Sequence, residues 1–240
     1  MKRYSVVFIH GMWADSRHWN RFRRSFDRAG FSTRAVTLPF HHTPQDLAGL
    51  RKMGILDYVE QVRTEIGSEQ VILVGHSMGG LIGQKLAEDG VARALVLLET
   101  CAPAGINPLT PSSLLCISAN LVDAVFSRPF IIPARNAGYG LTNALSRRAK
   151  TVIYDSFLYE SGRALREIVS GAIRVDERKV RCPVLVGVGS LDRATPPSVA
   201  RRVACKYSAD YHEYPGKCHF IGGEADVIRD VIAWCNAVVQ

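Results

Sequence analysis

Serine hydroxyls are weak nucleophiles at neutral pH, and one that attacks a carbonyl needs a base to take its proton and a third group to orient that base. Ser77 sits between glycines in Gly75-His76-Ser77-Met78-Gly79, a setting that leaves room for a sharp turn around an exposed hydroxyl. Gly80 and Gly83 follow, and small residues there are expected to keep the packing loose. Only His212 and His219 come after Ser77 among the histidines. His212 falls within a short alternating stretch that reads as a strand, whereas His219 lies in a loop, Pro215-Gly216-Lys217-Cys218-His219, and is the stronger base. For the orienting acid, Asp192 stands in Gly189-Ser190-Leu191-Asp192-Arg193-Ala194-Thr195-Pro196, just past an apolar run. Glu99, at the end of another apolar run, is its rival.

Acyl transfer also needs donors for the oxyanion that forms at the attacked carbonyl. The Met78 amide, at the start of the helix expected after Ser77, is one, because the first amides of a helix lack intrahelical acceptors. The Met12 amide, in the loop His10-Gly11-Met12-Trp13, is the second. Trp13, Phe126 and Phe157 are the aromatic side chains placed to meet a substrate.

These residues need a scaffold, and the hydrophobic pattern supplies one. Apolar, β-branched runs at 4–9, 31–38, 71–74, 94–98 and 184–188, with a shorter one at 211–214, read as strands. Helical spacing or composition marks 16–29, 58–66, 81–88, 198–207 and 224–238. Strands alternating with helices imply a parallel sheet covered on both faces, since parallel neighbours need crossover connections. The alternation lapses between about 101 and 181, where Pro103, Pro108, Pro111, Pro129 and Pro133 interrupt helical stretches at 112–126 and 157–173. The expected organisation is a core of residues 1–101 and 181–240 with an inserted, mostly helical lid at 102–180.

A chain of 240 residues, 47% hydrophobic and 22% charged, has material for one substantial domain. It has no apolar run of about 18 residues, so no integral membrane segment is expected. The start, Met1-Lys2-Arg3 before Val6-Val7-Phe8-Ile9, is too short in its apolar part for a secretory leader and reads as a strand. Six cysteines, at 101, 116, 182, 205, 218 and 235, show neither paired nor metal-ligand spacing, which implies reduced thiols and a cytoplasmic location. The net charge of +8 gathers at 21–24, 147–150, 178–181 and 201–202 without aromatic interleaving, so it reads as solvated surface rather than a nucleic-acid site. His41-His42 do not form a metal site, because neighbours on an extended segment point apart and nothing completes a ligand set.

Taken together, His10-Gly11-Met12-Trp13, the Gly75-His76-Ser77-Met78-Gly79 turn between strand and helix, Asp192 in its Gly-x-x-Asp-x-x-x-Pro setting and His219 resemble the α/β-hydrolase superfamily of serine esterases and lipases. The resemblance implies a catalytic triad of Ser77, Asp192 and His219 in that chain order, an acyl-enzyme resolved by water, and oxyanion donors at Met12 and Met78. It implies an α/β-hydrolase fold with no cofactor and no metal. The antiparallel strands that often open this fold have no counterpart here, which leaves about six. A small-molecule ester-like substrate is expected. A thioesterase, lactonase or carbon-carbon bond hydrolase or lyase would use the same triad, and a receptor on the same scaffold would bind without turnover. The lid resembles no substrate-specific subfamily.

Overall fold

The computed structural model describes residues 4–239; Met1-Lys2-Arg3 and Gln240, and with them the expectation about a leader, lie outside the described residues. Within that span six parallel strands form one sheet in the order β2-β1-β3-β4-β5-β6, matching the number and direction expected. The strands are β1 (Ser5–Ile9), β2 (Ser32–Val36), β3 (Val71–His76), β4 (Ala92–Leu98), β5 (Val184–Gly189) and β6 (Asp210–Tyr214). The helices, in chain order, are α1 (Asn20–Arg28), α2 (Leu47–Leu50), α3 (Ile55–Ile66), α4 (Met78–Glu88), α5 (Pro111–Ile117), α6 (Leu121–Val125), α7 (Ala134–Gly140), α8 (Arg147–Asp155), α9 (Gly162–Val169), α10 (Pro197–Tyr207) and α11 (Ala225–Val238).

Successive strand residues point to opposite faces, and both faces are apolar. Val7, Ile9, Leu73, Leu95, Leu97 and Val186 pack on one side against α3, α4 and α10. Phe8, Ile72, Val74, Val96 and Leu185 pack on the other against Trp19, just before α1, Phe22 and Phe26 of α1, and Val227, Ile228 and Val231 of α11. Continuous burial of β3 and β5 on both faces is why their sequences read as unbroken apolar runs.

All of α5 to α9 lies between β4 and β5, with its own apolar cluster of Cys116, Phe130, Ile132, Leu141 and Leu165 closed over Trp13. Two differences from the sequence reading fall here. Residues 157–161 are not helical: Phe130 and Glu160 form an antiparallel bridge, and α9 starts only after the Ser161 side chain caps the Ala164 amide. The helix α8 gave no apolar stripe to read because none of its residues is buried; it begins on a Ser146 cap, and the cluster Arg147-Arg148-Ala149-Lys150 is its first turn.

Candidate active site

Parallel strands deliver their carboxyl ends to one edge of the sheet, where ligands of open α/β sheets bind. Pairing of Ile9 with Gly75 sets the His10-Gly11 loop beside Ser77, and pairing of His76 with Leu98 sets Glu99 one residue beyond. Asp192 follows β5, and His219 follows β6. Two main-chain bonds lock these last two loops together, Ser190 to Tyr214 at 2.9 Å and Leu191 to Lys217 at 2.8 Å, and Asp192 N turns back to Gly189 O at 3.0 Å.

Ser77 joins β3 to α4 with φ 53° and ψ −118°, a conformation an L-residue adopts only under constraint, at a cost of about 1–3 kcal/mol. Its backbone is held from both sides, its amide donating to Leu98 O at 3.0 Å and its carbonyl accepting from Cys101 N at 3.0 Å and Gly80 N at 3.0 Å. Glycine is obligatory around it for space. A Cβ at Gly75 would fall 2.4 Å from Gly79 O, one at Gly79 2.2 Å from Ile9 O, and one at Gly11 2.9 Å from Ser77 Cβ. Gly80 corrects the expectation of loose packing, since its Cβ would meet Thr100 Oγ1 at 2.4 Å and Gly83's would meet Leu95 Cδ1 at 3.2 Å. These glycines serve close approach.

Asp192 and His219 are buried and joined, Asp192 Oδ2 lying 2.8 Å from His219 Nδ1. The carboxylate is itself fixed: Oδ1 accepts the amides of Ala194 at 2.8 Å and Thr195 at 3.0 Å, and the Thr195 hydroxyl lies 2.8 Å from both Oδ2 and Glu99 O. Thr195 was missed by sequence reasoning, although an acid followed two and three residues on by amides it can accept is a readable turn pattern. Glu99, the rival acid, faces elsewhere. It is wholly buried with Oε2 3.2 Å from His76 Nε2, and burial, then the neighbouring Asp192, push its carboxyl well above the usual range. His212 lies within β6, away from these groups.

Ser77 and His219 share the wall of a cavity of about 70 Å³, formed otherwise by Met12, Trp13 and apolar side chains such as Leu141, Leu165, Ile168 and Val199. Among the described residues the Ser77 hydroxyl's side-chain contact is Cys101 Sγ at 3.9 Å, and burial pushes that thiol up to about 12, so it stays protonated. Met78 is the first residue of α4, its amide free of an intrahelical acceptor, and Met12 reaches the cavity. Trp13, also at the cavity, has φ 62° and is held through its carbonyl by the Leu158 amide at 2.9 Å. The other two aromatic side chains expected to meet a substrate do not line this cavity. Phe126 is 56% exposed, outside the cavity, with the Arg128 guanidinium 5.1 Å from its ring centre. Phe157 stacks behind Trp13 at 6.0 Å and on Phe220 at 6.1 Å, so it supports the wall without lining the cavity.

His41 and His42 point apart, His41 buried and His42 exposed. His41 Nε2 meets Glu160 Oε2 at 2.9 Å and its Nδ1 donates to Pro39 O at 2.9 Å, while Tyr58 OH donates to Glu160 Oε1 at 2.9 Å. All six thiols are free. Among the described residues no group of three or more histidine, cysteine or acidic side chains is arranged to hold a metal, and no helix is long and apolar enough to cross a membrane.

Similarity to known proteins agrees with this architecture. Over 134 residues the chain is 28% identical to a putative esterase/lipase of Mycoplasma pneumoniae, an alignment covering 53% of this chain and 46% of that protein. Over 173 residues it is 27% identical to the dihydrolipoyllysine-residue acetyltransferase component of an acetoin cleaving system from Cupriavidus necator, covering 71% of this chain and 39% of that protein. The chain thus spans less than half the length of the curated relatives it matches. Among solved structures, an extracellular alpha/beta-hydrolase from a Paenibacillus species superposes with a TM-score of 0.76 at 16% identity, covering 99% of this chain and 100% of that one. The model of the alpha/beta hydrolase family matches residues 6–230, nearly the whole chain, and the chain belongs to that family.

Proposed function

We propose that this chain is a serine hydrolase that cleaves a carboxylic ester of a small or apolar substrate through an acyl-enzyme. The observation that carries the reading is the 2.8 Å contact of His219 Nδ1 with Asp192, beside a cavity that His219 shares with a strained Ser77.

In this scheme His219 Nε2 takes the Ser77 proton as Oγ attacks the ester carbonyl, and the resulting oxyanion is received by the amides of Met12 and Met78. Collapse expels the alcohol, which leaves with the proton from His219, and the acyl group stays on Ser77. Water, deprotonated by the same nitrogen, then attacks the acyl carbonyl, so that the acid is released and Ser77 regains its hydrogen. Asp192 holds the Nδ1–H tautomer and offsets the imidazolium charge. No step draws on a cofactor. The cavity's aliphatic walls suit an apolar acyl or alcohol group, and residues 102–180 act as the lid that shapes it. The printed name of the Mycoplasma relative, a putative esterase/lipase, agrees with this chemistry.

Labelling with a fluorophosphonate probe, followed by peptide mass spectrometry, is the direct test, and the adduct is expected on Ser77. Ser77→Ala should lower turnover of p-nitrophenyl acetate by about 10⁴ to 10⁶. Undiminished hydrolysis by that variant would overturn the nucleophile assignment, and an unlabelled wild-type protein would favour a binding role. A panel of esters, thioesters and lactones then ranks the substrate class.

A further inference from the structure

One buried histidine beside the site has no part in the scheme above. His76 ends β3, immediately before Ser77, and is 3% exposed. Its Nε2 lies 2.9 Å from the main-chain carbonyl of His219 and 3.2 Å from Oε2 of Glu99. A carbonyl only accepts, so Nε2 carries the hydrogen and donates to it. The ring is clamped on both sides, stacked on His18 with centres 4.7 Å apart and tilted against the His219 ring at 4.9 Å.

His219 needs such a tether. It lies on a loop between Gly216, at φ 71°, and the pair Gly222-Gly223, where main-chain freedom is large. The bond from Leu191 fixes this loop at Lys217, and Glu224 bonds back to Ile221, but at residue 219 the main-chain carbonyl meets His76. Because His76 is also the neighbour of Ser77, one short bond ties the main chain of the base to that of the nucleophile.

We propose that His76 is a positioning residue that holds the main chain of His219 against Ser77. The proposal rests on the serine-hydrolase reading above. The electrostatics suit a purely geometric role. Burial, together with His18, His219 and His10, pushes the His76 imidazole well down, while burial with Asp192 pushes the Glu99 carboxyl well up. Both shifts favour the neutral form, so His76 and Glu99 add no second charge beside the Asp192–His219 pair.

The test compares two substitutions in the full chain. His76→Phe keeps a planar ring against His18 but removes the donor, whereas His76→Gln places an amide donor near the position of Nε2. The first should lower kcat for p-nitrophenyl acetate by about tenfold to a hundredfold with KM unchanged, the scale of a small misplacement of a catalytic group. The second should restore most of that loss at an equal melting temperature, which a merely space-filling role would not do. Should His76→Phe fail to fold, His76→Asn, whose shorter amide does not reach the His219 carbonyl, replaces it in the comparison with His76→Gln. Equal rates in the donor-free variant and the wild type, or equal impairment with and without the donor, would overturn the proposal. Fluorophosphonate labelling of the wild type separates the two failures: a labelled Ser77 with no effect at position 76 sinks only the positioning role, and an unlabelled Ser77 sinks both.

Discussion

Two of the buried histidine–carboxylate pairs among the described residues are nearly equal in distance, His219–Asp192 at 2.8 Å and His41–Glu160 at 2.9 Å, all four side chains inaccessible or nearly so. What separates them is the other ring nitrogen and what surrounds the carboxylate. His41 gives its second nitrogen to Pro39 O, and Glu160 is further engaged by Tyr58 OH and by the Ser161 amide at 2.6 Å, so the cluster is closed. It fastens the chain after β2 and α3 to the segment between β4 and β5. His219 spends Nδ1 on Asp192 and borders the cavity shared with Ser77. A histidine–carboxylate pair is equipped for proton transfer when one nitrogen is left facing space that a reactant can enter, and is a fastener when both are occupied.

The largest effect that would sharpen this contrast is expected at Asp192. Asp192→Asn should lower kcat by about 10⁴, because an amide in that position favours the wrong imidazole tautomer, while the melting curve changes far less than the rate. Retention of full esterase activity would break the contrast. Glu160→Ala should do the reverse. Removing one partner of a buried pair, and leaving Tyr58 and His41 unpaired, should cost about 3–5 kcal/mol of stability in urea unfolding, with kcat near the wild-type value wherever the protein remains folded. A rate collapse without loss of stability would show that the closed cluster also serves the chemistry.

A smaller effect concerns pH. Burial pulls the His41 imidazole down, but the charge and hydrogen bond of Glu160 and the Pro39 carbonyl outweigh it, and the net shift is upward. A histidine whose folded value is raised contributes stability that is fully present below its unfolded value, about 6.5, and lost as pH rises through the folded value. The stability difference between wild type and His41→Gln, measured by thermal unfolding, should therefore be greatest below about pH 6.5 and shrink above it. Glu99 shifts upward too, but without a counter-charge: its buried carboxyl favours the folded state least once pH climbs above its unfolded value, about 4.3. Glu99→Gln, which mimics the protonated acid, should gain relative to wild type as pH rises. The smallest effect is expected at Phe126, in the same segment as Glu160 but exposed, where Phe126→Ala should change stability by less than about 0.5 kcal/mol and leave the rates alone.

Much of the scaffold was legible because burial writes itself into composition. The strands 71–74 and 184–188 are covered on both faces, so they are apolar throughout, and they extend only two and one residues beyond what the pattern marked, through Gly75-His76 and Gly189. The helix after Ser77 starts at Met78, as expected, although helix-forming composition begins only at Leu81: Met78, Gly79 and Gly80 make a first turn that tertiary packing enforces. Between β4 and β5 the reading was poorer for the converse reason. There α7 buries only Asn136, Ala137 and Gly140, and α8 starts on a Ser146 cap and buries nothing, so neither shows a periodic apolar face, and Glu160 in the non-helical stretch 157–161 bridges to Phe130.

By itself, the sequence determined which residue types were available and in what order: a serine between glycines after an apolar run, and an acid and a histidine in later loops. Those are local facts, carried by turn-forming residues and by burial of whole strands. Only tertiary structure placed Asp192 against His219 Nδ1 and Glu99 against His76, because the sheet register sets which carboxylate meets which ring. It alone made His41 a fastener, since its partner lies 119 residues away on a separate segment. It also moved Phe126 to the surface and Phe157 behind Trp13, for aromatic character signals burial or contact without saying against what.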